Sequence, residues 1–497
     1  MKKNLTIKLE PLGEKVRVRY GTPLKDILFK YGIEFPCGGK GICGGCKIKL
    51  LKGDIPMSME HQQAINKLGL SEEFRLACRS KVTSDVSLEI DQFETFILAD
   101  NSTFHFTPSK GFGIAIDLGT TTLVAQLLDL SNGHVLDALT SLNPQAEYGA
   151  DVISRIEYSI RNNGLPLLQN IIQEKIASMV NKLITRNEVN VTRVVIVGNT
   201  VMQHIFAGLD LTPLSAYPFE SRKKEFSRFS PQELKLKTNP EAEILFLPSL
   251  GSFVGSDILA GILAARIHQS KKPIVLIDLG TNGEIVAGNK DKILCASTAA
   301  GPAFEGTNIQ MGMRASTGAI SSITYNNEKI QYHIIGNETP KGICGSGLID
   351  AIAVLLEDNK VDTGGKIIDE SDKIGLIKPI VITQKDIREL QLAKGAIAAG
   401  VQILLDKLEI THKQVERVYI AGAFGNFINI ENTRRIGLIE FSSEKISKLG
   451  NTALIGAKMS LFLNPDEIYP VLEKTEHIPL EIIPDFQELF ADKMMFE

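Results

Sequence analysis

The stretch GIAIDLGTTTLVAQLLD at residues 113–129 decides the fold, because PIVLIDLGTNGEIVAG at residues 273–288 repeats its pattern. Each copy consists of an apolar run typical of a buried strand, the pentapeptide IDLGT, and a second run of strand type. A shared pentapeptide alone is weak support for duplication, but the matching strands on either side make duplication the better interpretation. The sequence therefore predicts two related α/β lobes.

A hairpin of the form strand-Asp-x-Gly-Thr-strand suits phosphate binding. Glycine allows the backbone to turn tightly and to approach a ligand, so that its N–H groups face phosphate oxygens. Threonine hydroxyls add donors, and an aspartate at the strand end can bind Mg²⁺ directly or through water. Two such hairpins that face one cleft would hold a nucleoside triphosphate from both sides. The alternative is a pair of tight hairpins in which the aspartate only stabilises the turn.

Both hairpins resemble the phosphate motifs of the superfamily that joins acetate and sugar kinases, heat-shock chaperones and actin (ASKHA). The stretch VYIAGAFGNF at 418–427 is similar to its adenosine motif. Connecting helices are expected over 254–267 and 451–463, both rich in the small residues that let helices cross closely. These elements occur in the superfamily's order between about residues 112 and 465. Neither a Walker A sequence nor a G-x-G-x-x-G after a strand is present.

The hairpin chemistry and this resemblance together nominate the residues of an ATP site. We expect phosphate contacts from Gly119, Thr120, Thr121, Thr122, Gly280, Thr281 and Asn282. We expect Mg²⁺ or the attacking water at Asp117 and Asp278, and the adenosine at Gly422 and Gly425. Further candidates are Asp257, Glu305 and Asn199, whose alternative role is a turn cap.

Four of the six cysteines lie in the first 80 residues with the spacing C-x5-C-x2-C-x31-C, formed by Cys37, Cys43, Cys46 and Cys78. A plant-type [2Fe-2S] site has C-x4-C-x2-C and a distant fourth cysteine, so this loop is one residue longer, as in the adrenodoxin-like branch. A structural zinc site usually brings its ligands as two close pairs, whereas here the fourth cysteine stands alone. The pattern favours a [2Fe-2S] cluster over zinc or disulfides. Isolated cysteines are more often buried small hydrophobes, which we expect of Cys295 and Cys344.

The region around these cysteines is predicted to form a separate small module. Alternating LTIKL and KVRVRY flank PLGE and indicate a β-hairpin. PLKDILFKYG has helical spacing that ends at Gly32, and VSLEI is of strand type. Together they indicate a β-grasp unit, so the predicted fold class is a multidomain α/β protein with a β-grasp [2Fe-2S] ferredoxin domain before a two-lobed actin-like ATPase. The predicted divisions are a ferredoxin-like domain over 1–92, a linker over 93–111, lobe I over 112–270, and lobe II with the C-terminal connecting helix over 271–497.

The composition of the chain argues against nucleic acid and membranes as partners. The 497 residues include 54 Lys and Arg against 58 Asp and Glu, a net charge of -4, whereas nucleic-acid binders carry a basic excess. We therefore expect no nucleic-acid partner. No stretch approaches the ~20 apolar residues needed to span a bilayer, and the N-terminus alternates instead of forming the apolar core of a secretory signal. We expect no membrane association and a cytoplasmic location, where clustered thiols more often bind metal than form disulfides.

An ATP cleft and a one-electron carrier on one chain suggest ATP-dependent electron transfer. The combination resembles the reductive activators of corrinoid proteins, as do NPQAEYGADVISRI (143–156), VGNTVMQHIFAGLDLTPLSAYPF (197–219), STAAGPAFEG (297–306), GICGSGLID (342–350) and AGAFGNFI (421–428). The resemblance implies an ATP-hydrolysing oxidoreductase that uses a [2Fe-2S] cluster, ATP and Mg²⁺ to return the Co(II) corrinoid of a methyltransferase system to Co(I). It also implies an upstream electron donor and a transient corrinoid-protein partner, and it leaves a homodimer open.

The corrinoid is expected on the partner, because no D-x-H-x-x-G loop is present and His204 in MQHIFAG fits a packed histidine. Three alternative functions remain open. The chain could be a small-molecule kinase with a redox-sensing ferredoxin domain. It could activate another low-potential enzyme, as the activators of 2-hydroxyacyl-CoA dehydratases do. It could also be a scaffold whose nucleotide only orders the lobes.

Overall fold

A computed structural model describes residues 4–10, 14–28, 33, 46–68, 70–90, 106–221, 225–280, 282–315, 318–326, 329–335, 339–369, 371–422, 425 and 428–496. Of the nominated site residues, Cys37, Cys43 and Thr281 lie outside these ranges, as does most of the predicted linker. No helix in the described ranges is both long and apolar enough to cross a membrane.

The N-terminal unit is a small mixed sheet with two helices in its described part. Its elements are β1 (Asn4–Glu10), β2 (Glu14–Arg19), α1 (Lys25–Leu28), β3 (Lys47–Lys52), α2 (Met59–Lys67), β4 (Phe74–Leu76) and β5 (Val86–Glu89). The strand order is β2-β1-β5-β3-β4, with β1 antiparallel to β2 and parallel to β5. This confirms the predicted hairpin, the strand at VSLEI and the β-grasp class, while the predicted helix end at Gly32 lies outside the described residues.

Alternation along β1 explains which face of this sheet is buried. Leu5, Ile7 and Leu9 are buried, whereas the residues between them are exposed or half-buried. Helix α2 begins after Ser58, whose hydroxyl accepts a hydrogen bond from the His61 N–H, so that its first turn is capped. His61 and Ile65 then lie one turn apart on the buried face of α2.

The first actin-like lobe follows with its own sheet. Its elements are β6 (Phe112–Leu118), β7 (Thr122–Asp129), β8 (Val135–Leu142), α3 (Val152–Arg161), α4 (Leu165–Asn187), β9 (Val191–Val197), α5 (Thr200–Ala207), β10 (Ser227–Phe229), β11 (Glu243–Phe246) and α6 (Ser256–Ala264). The strand order across the described sheet is β10-β11-β9-β6-β7-β8. The first IDLGT motif ends β6 and forms the turn into β7, as predicted.

The second lobe contains the remaining elements. They are β12 (Ile274–Leu279), β13 (Gly283–Gly288), β14 (Ile293–Thr298), β15 (Ala319–Asn326), β16 (Lys329–Ile334), β17 (Gly342–Ile343), α7 (Gly345–Glu357), β18 (Lys373–Gly375), β19 (Val381–Thr383), α8 (Gln384–Lys407), β20 (Arg417–Ala421), α9 (Ile430–Arg435), β21 (Ile446–Gly450), α10 (Thr452–Ser460), α11 (Pro465–Glu473), β22 (Thr475–His477) and α12 (Phe486–Lys493). The main sheet of the described lobe runs β21-β20-β12-β13-β14-β22.

The two main sheets share a topology, which supports duplication. In lobe I, β6, β7 and β8 form an antiparallel meander, and β9 pairs with β6 in parallel. In lobe II, β12, β13 and β14 repeat the meander, and β20 pairs with β12 in parallel. Each meander begins with a strand that ends in IDLGT, so the repeated motif occupies equivalent places in the two sheets.

Helices α6 and α10 are the connecting helices expected from the sequence, and they cross at very short range. A Cβ atom on Gly456 of α10 would lie 2.0 Å from the Ala260 carbonyl oxygen of α6. Only glycine permits such an approach of two helix backbones. The small residues that predicted a close crossing are therefore required by it.

Candidate functional site

Four carboxylates converge where the two lobes meet. Asp117 and Asp278 lie near the ends of β6 and β12, Asp257 lies in the first turn of α6, and Glu284 lies on β13. Their charges act on one another: burial and then the charges of Asp117 and Asp278 raise the pKa of Asp257 to about 7. The matched strand ends of the duplicated hairpins thus place acidic groups on both sides of one cleft.

Burial is also the largest cause for the other three carboxylates. Burial raises the pKa of Asp117 to about 6, against a hydrogen bond from Asn451 that lowers it. Burial and the charge of Asp117 raise the pKa of Asp278 to about 7. Burial, Asp257 and Asp278 hold the pKa of Glu284 well above its ordinary value. Raised pKa values mean that the charged forms of these carboxylates are disfavoured, and a nearby cation would favour them.

The N-terminus of α10 contacts two of these carboxylates. The Asn451 Nδ2 atom donates to Asp117 Oδ2 at 2.8 Å, while Asn451 Oδ1 caps the helix by accepting from the Leu454 N–H. The next residue, Thr452, donates its hydroxyl to Asp278 Oδ2 at 3.4 Å. Since α6 also begins at this cleft with Asp257, two helix N-termini meet there and favour negatively charged ligands.

The loop at Gly119–Thr122, the first of the two predicted phosphate loops, is a tight turn. The Gly119 N–H donates to the Thr122 carbonyl at 3.1 Å, and a Cβ on Gly119 would lie 2.5 Å from that oxygen. Asn199 Nδ2 donates to the Thr120 hydroxyl at 2.8 Å, and Asn199 Oδ1 accepts from the Met202 N–H. Asn199 is therefore the cap of α5, the alternative role given above, and it also contacts the loop, while its role in a functional site stays a prediction.

The second loop lies beside Asp278. The Gly280 N–H donates to the Asn282 carbonyl at 3.1 Å, two residues ahead, whereas the Gly119 bond in the first loop reaches three residues ahead. The Asn282 side chain is hydrogen-bonded to Glu284. Gly422 has a φ of +88° at the end of β20, where a Cβ would lie 2.8 Å from Asp278 Oδ1. The close approach and the left-handed φ explain why glycine stands at 422. Gly425 follows, and a Cβ there would lie 2.5 Å from the Ala421 carbonyl.

Two other residues singled out in the sequence, Glu305 and His204, are not among the described contacts of these carboxylates. Glu305 ends the short helical turn Pro302–Glu305 and is half-buried. His204 is fully buried on α5, where its Nδ1 lies 2.8 Å from the Thr200 carbonyl oxygen, so it is the packed histidine that the sequence predicts.

Two of the four nominated cluster cysteines fall in the described ranges, and they are adjacent. The sulfurs of Cys46 and Cys78 are 3.2 Å apart, and the Ala77 N–H donates to the Cys46 carbonyl at 2.9 Å. This separation is too long for a disulfide, whose S–S distance is ~2.05 Å. Sulfurs that share a tetrahedral metal at ~2.3 Å each lie ~3.8 Å apart, so small side-chain rotations would let this pair bind one metal ion.

Cys295 and Cys344 are both buried, as expected of small apolar residues. Among the residues that the structure describes, no three His, Cys, Asp or Glu side chains are grouped closely enough to hold a metal ion by themselves.

Both the cysteine region and the carboxylate cleft lie in parts of the chain that match known protein families. Residues 7–83 match the 2Fe-2S iron-sulfur cluster binding domain, residues 112–270 match the RACo middle region, and residues 272–497 match the C-terminal domain of RACo, the ASKHA domain. The chain is 36% identical over 439 residues to the corrinoid activation enzyme RamQ of Eubacterium limosum, covering 80% of this chain and 74% of the relative. This chain belongs to the family of reductive activators of corrinoid proteins.

Two further comparisons agree with this assignment. The [Co(II) methylated amine-specific corrinoid protein] reductase of Methanosarcina barkeri is 28% identical over 404 residues, with 74% of this chain and 73% of the relative covered. A solved structure of a reductive activator for corrinoid, iron-sulfur protein superposes with a TM-score of 0.68 at 27% identity, covering 99% of this chain and 98% of that chain. The sequence-based resemblance to this family and its fold is thereby confirmed.

Sequence reasoning missed several residues of the cleft in this reductive activator. Glu284 lies inside the second quoted motif. Its position on β13, the strand that follows the loop after Asp278, was the available signal. Asn451 and Thr452 carried no local signal, because they act only through contacts with strand ends far away in the chain. Asn143 and Arg155, which contact the first loop, lay in a family-like stretch without an assigned role.

Proposed function

We propose that this chain uses ATP to drive the one-electron reduction of a partner's corrinoid from Co(II) to Co(I). The observation that carries the proposal is the joining of a [2Fe-2S] domain to a duplicated nucleotide cleft in a chain of this family. One electron would pass from the reduced cluster to cobalt, and an upstream donor would then reduce the cluster again. The division into 1–92, 93–111, 112–270 and 271–497 is part of the proposal.

The cleft residues would bind the nucleotide between the lobes. The loops at Gly119–Thr122 and 280–282 would contact the phosphates, and Gly422 and Gly425 would lie against the adenosine. Asp117 and Asp278 would hold Mg²⁺ through water or orient the attacking water, with Asp257 and Glu284 as further carboxylates of the same group. A cation bound beside Asp117 and Asp278 would stabilise their charged forms, which burial disfavours in both and the charge of Asp117 disfavours further in Asp278.

Cys37, Cys43, Cys46 and Cys78 would ligate the cluster. The cluster supplies a site that accepts and releases a single electron. The chain's own part is to hold the ligands, and the Ala77 N–H to Cys46 carbonyl bond fixes the two described sulfur-bearing segments together. Half-burial of Cys78 leaves this side of the site nearer to solvent than Cys46, which is 1% exposed.

ATP can favour electron delivery only if it binds two arrangements of the protein with different affinity. The two lobes provide such arrangements, because a nucleotide held by both loops favours the closed cleft. A corrinoid protein that docks to one arrangement would then be coupled to the nucleotide state.

An anaerobic assay tests the proposal. Reduced protein is mixed with a Co(II) corrinoid protein of a methyltransferase system, and the Co(II) electron paramagnetic resonance signal is followed with and without Mg·ATP. We expect the signal to disappear only with ATP. A phosphorylated small-molecule product formed without a protein partner would instead identify a kinase and contradict the proposal.

A further inference from the structure

The family-like stretch 143–156 lies directly behind the first phosphate loop. It contains a short helical turn, Pro144–Glu147, and the first half of α3. Its two ends contact the loop through side chains: Asn143 Nδ2 donates to the Gly119 carbonyl at 2.9 Å, and Arg155 Nη2 donates to the Thr120 carbonyl at 2.5 Å.

Arg155 is an unusual residue to find in this position. Its side chain is fully buried, and the four acceptors of its guanidinium are neutral: the carbonyls of Thr120 and Gly149, the Gln145 amide oxygen and the Met202 sulfur. Burial lowers the pKa of Arg155 to about 9, against the charge of Asp151, which raises it, and the group is still charged at neutral pH. A buried charge normally has an ionic partner, because desolvation is costly.

The contacts on the loop carbonyls also fix the direction of the loop N–H groups. In a trans peptide the C=O and the following N–H point in opposite directions, and the cis bonds of the described chain lie elsewhere, at Tyr217–Pro218 and Lys378–Pro379. With the Gly119 and Thr120 carbonyls turned inward, the N–H groups of Thr120 and Thr121 must turn outward. Both threonines are half-buried, whereas Asn143 and Arg155 are fully buried.

The anchoring residues are themselves held in one network. Gln145 Nε2 donates to the Leu168 carbonyl at 3.0 Å while its oxygen accepts from Arg155, and Asn143 Oδ1 accepts from the Gln145 N–H. Rotation of the guanidinium would break several hydrogen bonds at once, so the loop rests on a rigid support. Preorganised donors of this kind need no rearrangement when an anion binds.

We propose that Arg155 is a positioning residue for the nucleotide triphosphate: it holds the Thr120 carbonyl so that the loop N–H groups face the phosphates. Its buried positive charge lies immediately behind the loop and adds a favourable potential for the anion. The inference rests on the proposed ATP function of the cleft. The four hydrogen-bond acceptors of Arg155 are neutral and the charge of Asp151 acts on it, so the triphosphate would be a further anion beside this buried charge.

The test compares binding of Mg·ATP and of adenosine by calorimetry in the full-length holoprotein. Arg155→Gln removes the charge and most of the contacts, and Arg155→Lys keeps the charge but loses the planar fork. Arg161→Gln on the same helix is the matched control, because Arg161 is exposed and pairs with Glu157. Cluster absorption and the melting temperature report whether each variant is folded.

We expect Arg155→Gln to weaken ATP binding at least about tenfold, as for loss of a charged hydrogen bond, with adenosine affinity unchanged and Arg155→Lys intermediate. Equal loss of ATP and adenosine affinity in Arg155→Lys would mean a general structural role and overturn the inference. ATP affinity within twofold of wild type in both variants would also overturn it. If the wild type binds no ATP, the proposed function itself fails.

Discussion

At the residue scale, the cleft carboxylates differ from surface acids because they are buried beside one another. Asp278 is held beside Asp117 and accepts a hydrogen bond from Thr452. We predict that Asp278→Asn lowers ATP turnover by on the order of 10²-fold or more, as when a group that orients water or acts as a base is lost. The [2Fe-2S] absorption should be retained, since the cluster lies in another domain.

Turnover is measured as phosphate release from Mg·ATP, and the exposed Asp291→Asn on the same lobe serves as control. Both variants change one carboxylate to an amide of the same size. Full activity in Asp278→Asn would remove the proposed role of this aspartate.

The cysteine pair allows a second prediction at this scale. Cys46→Ala removes a sulfur that lies 3.2 Å from Cys78, and we expect the visible [2Fe-2S] absorption and corrinoid reduction to be lost while ATP binding survives. Cys344→Ala is the control, because that buried cysteine contacts the Ile320 carbonyl in the ATPase part. A normal cluster spectrum in Cys46→Ala would show that the ligand set is wrong.

His61 gives the ferredoxin domain a predicted dependence on pH. It is fully buried, and its Nε2 accepts the Leu76 N–H at 3.0 Å, two residues before Cys78. Burial, and then the charges of Arg75 and Arg79, lower the pKa of His61 below its ordinary 6.5. The folded domain therefore prefers the neutral ring, and its stability is fully present above pH 6.5 and is lost as the pH falls through the lowered pKa.

We expect cluster loss in denaturant to accelerate as the pH falls below 6.5, and His61→Gln, whose side-chain oxygen can still accept a hydrogen bond, to show a weaker acceleration. The rate is measured from the decay of visible absorption, with the exposed His134→Gln as control. An identical pH profile in His61→Gln and wild type would show that another group is responsible.

At the scale of elements, the crossing of α6 and α10 joins the two lobes. Both helices begin at the carboxylate group, and their close contact at Ala260 and Gly456 leaves no room for a side chain. We predict that Gly456→Ala destabilises the protein by about 1–3 kcal/mol, the usual cost of overpacking. Gly375→Ala is the control, because a Cβ there would meet nothing within 4 Å.

Unfolding in denaturant, followed by circular dichroism of the holoprotein, measures this difference. Equal midpoints for Gly456→Ala and Gly375→Ala would show that the helices can separate without cost. A lower midpoint for Gly456→Ala alone would support the close crossing.

The elements differ in how well the sequence alone predicts them. The IDLGT hairpins and the connecting helices carry strong local patterns, and each leads to the right element. The cysteine spacing predicts a [2Fe-2S] domain, which the family match over residues 7–83 confirms, while its four ligands stay a prediction. The strands β3 and β4 and the helix α2 are short and were not predicted, because their burial depends on the rest of the β-grasp sheet. The contact between Asn451 and Asp117 spans 334 positions, so only the folded chain brings the two together.

At the scale of the whole molecule, the proposed function requires three units to work together: a cluster domain and two lobes that would share a nucleotide. An ion pair at 3.2 Å joins Glu89 of the ferredoxin domain to Lys341 of lobe II. Both side chains are about one-third exposed, and such pairs contribute at most ~1 kcal/mol. This pair alone would therefore not prevent the cluster domain from changing its position when the lobes close.

The arrangement of the two lobes would depend on the nucleotide more directly than the position of the cluster domain would. The first loop belongs to lobe I and the second to lobe II, while α10 contacts the terminal aspartate of a strand in each. A ligand that binds both loops would fix the angle between the sheets. Nucleotide binding is thus positioned to select one arrangement of the whole chain.

The most direct test of the account is anaerobic formation of Co(I), followed by its absorption, after ATP is added to reduced protein and a Co(II) corrinoid protein. We expect Co(I) to form with the wild type and ATP, and to be absent without ATP, with Cys46→Ala or with Asp278→Asn. Both sites would then be required for one electron transfer. Co(I) formation at the same rate without ATP, or its absence with every corrinoid protein tested, would contradict the account.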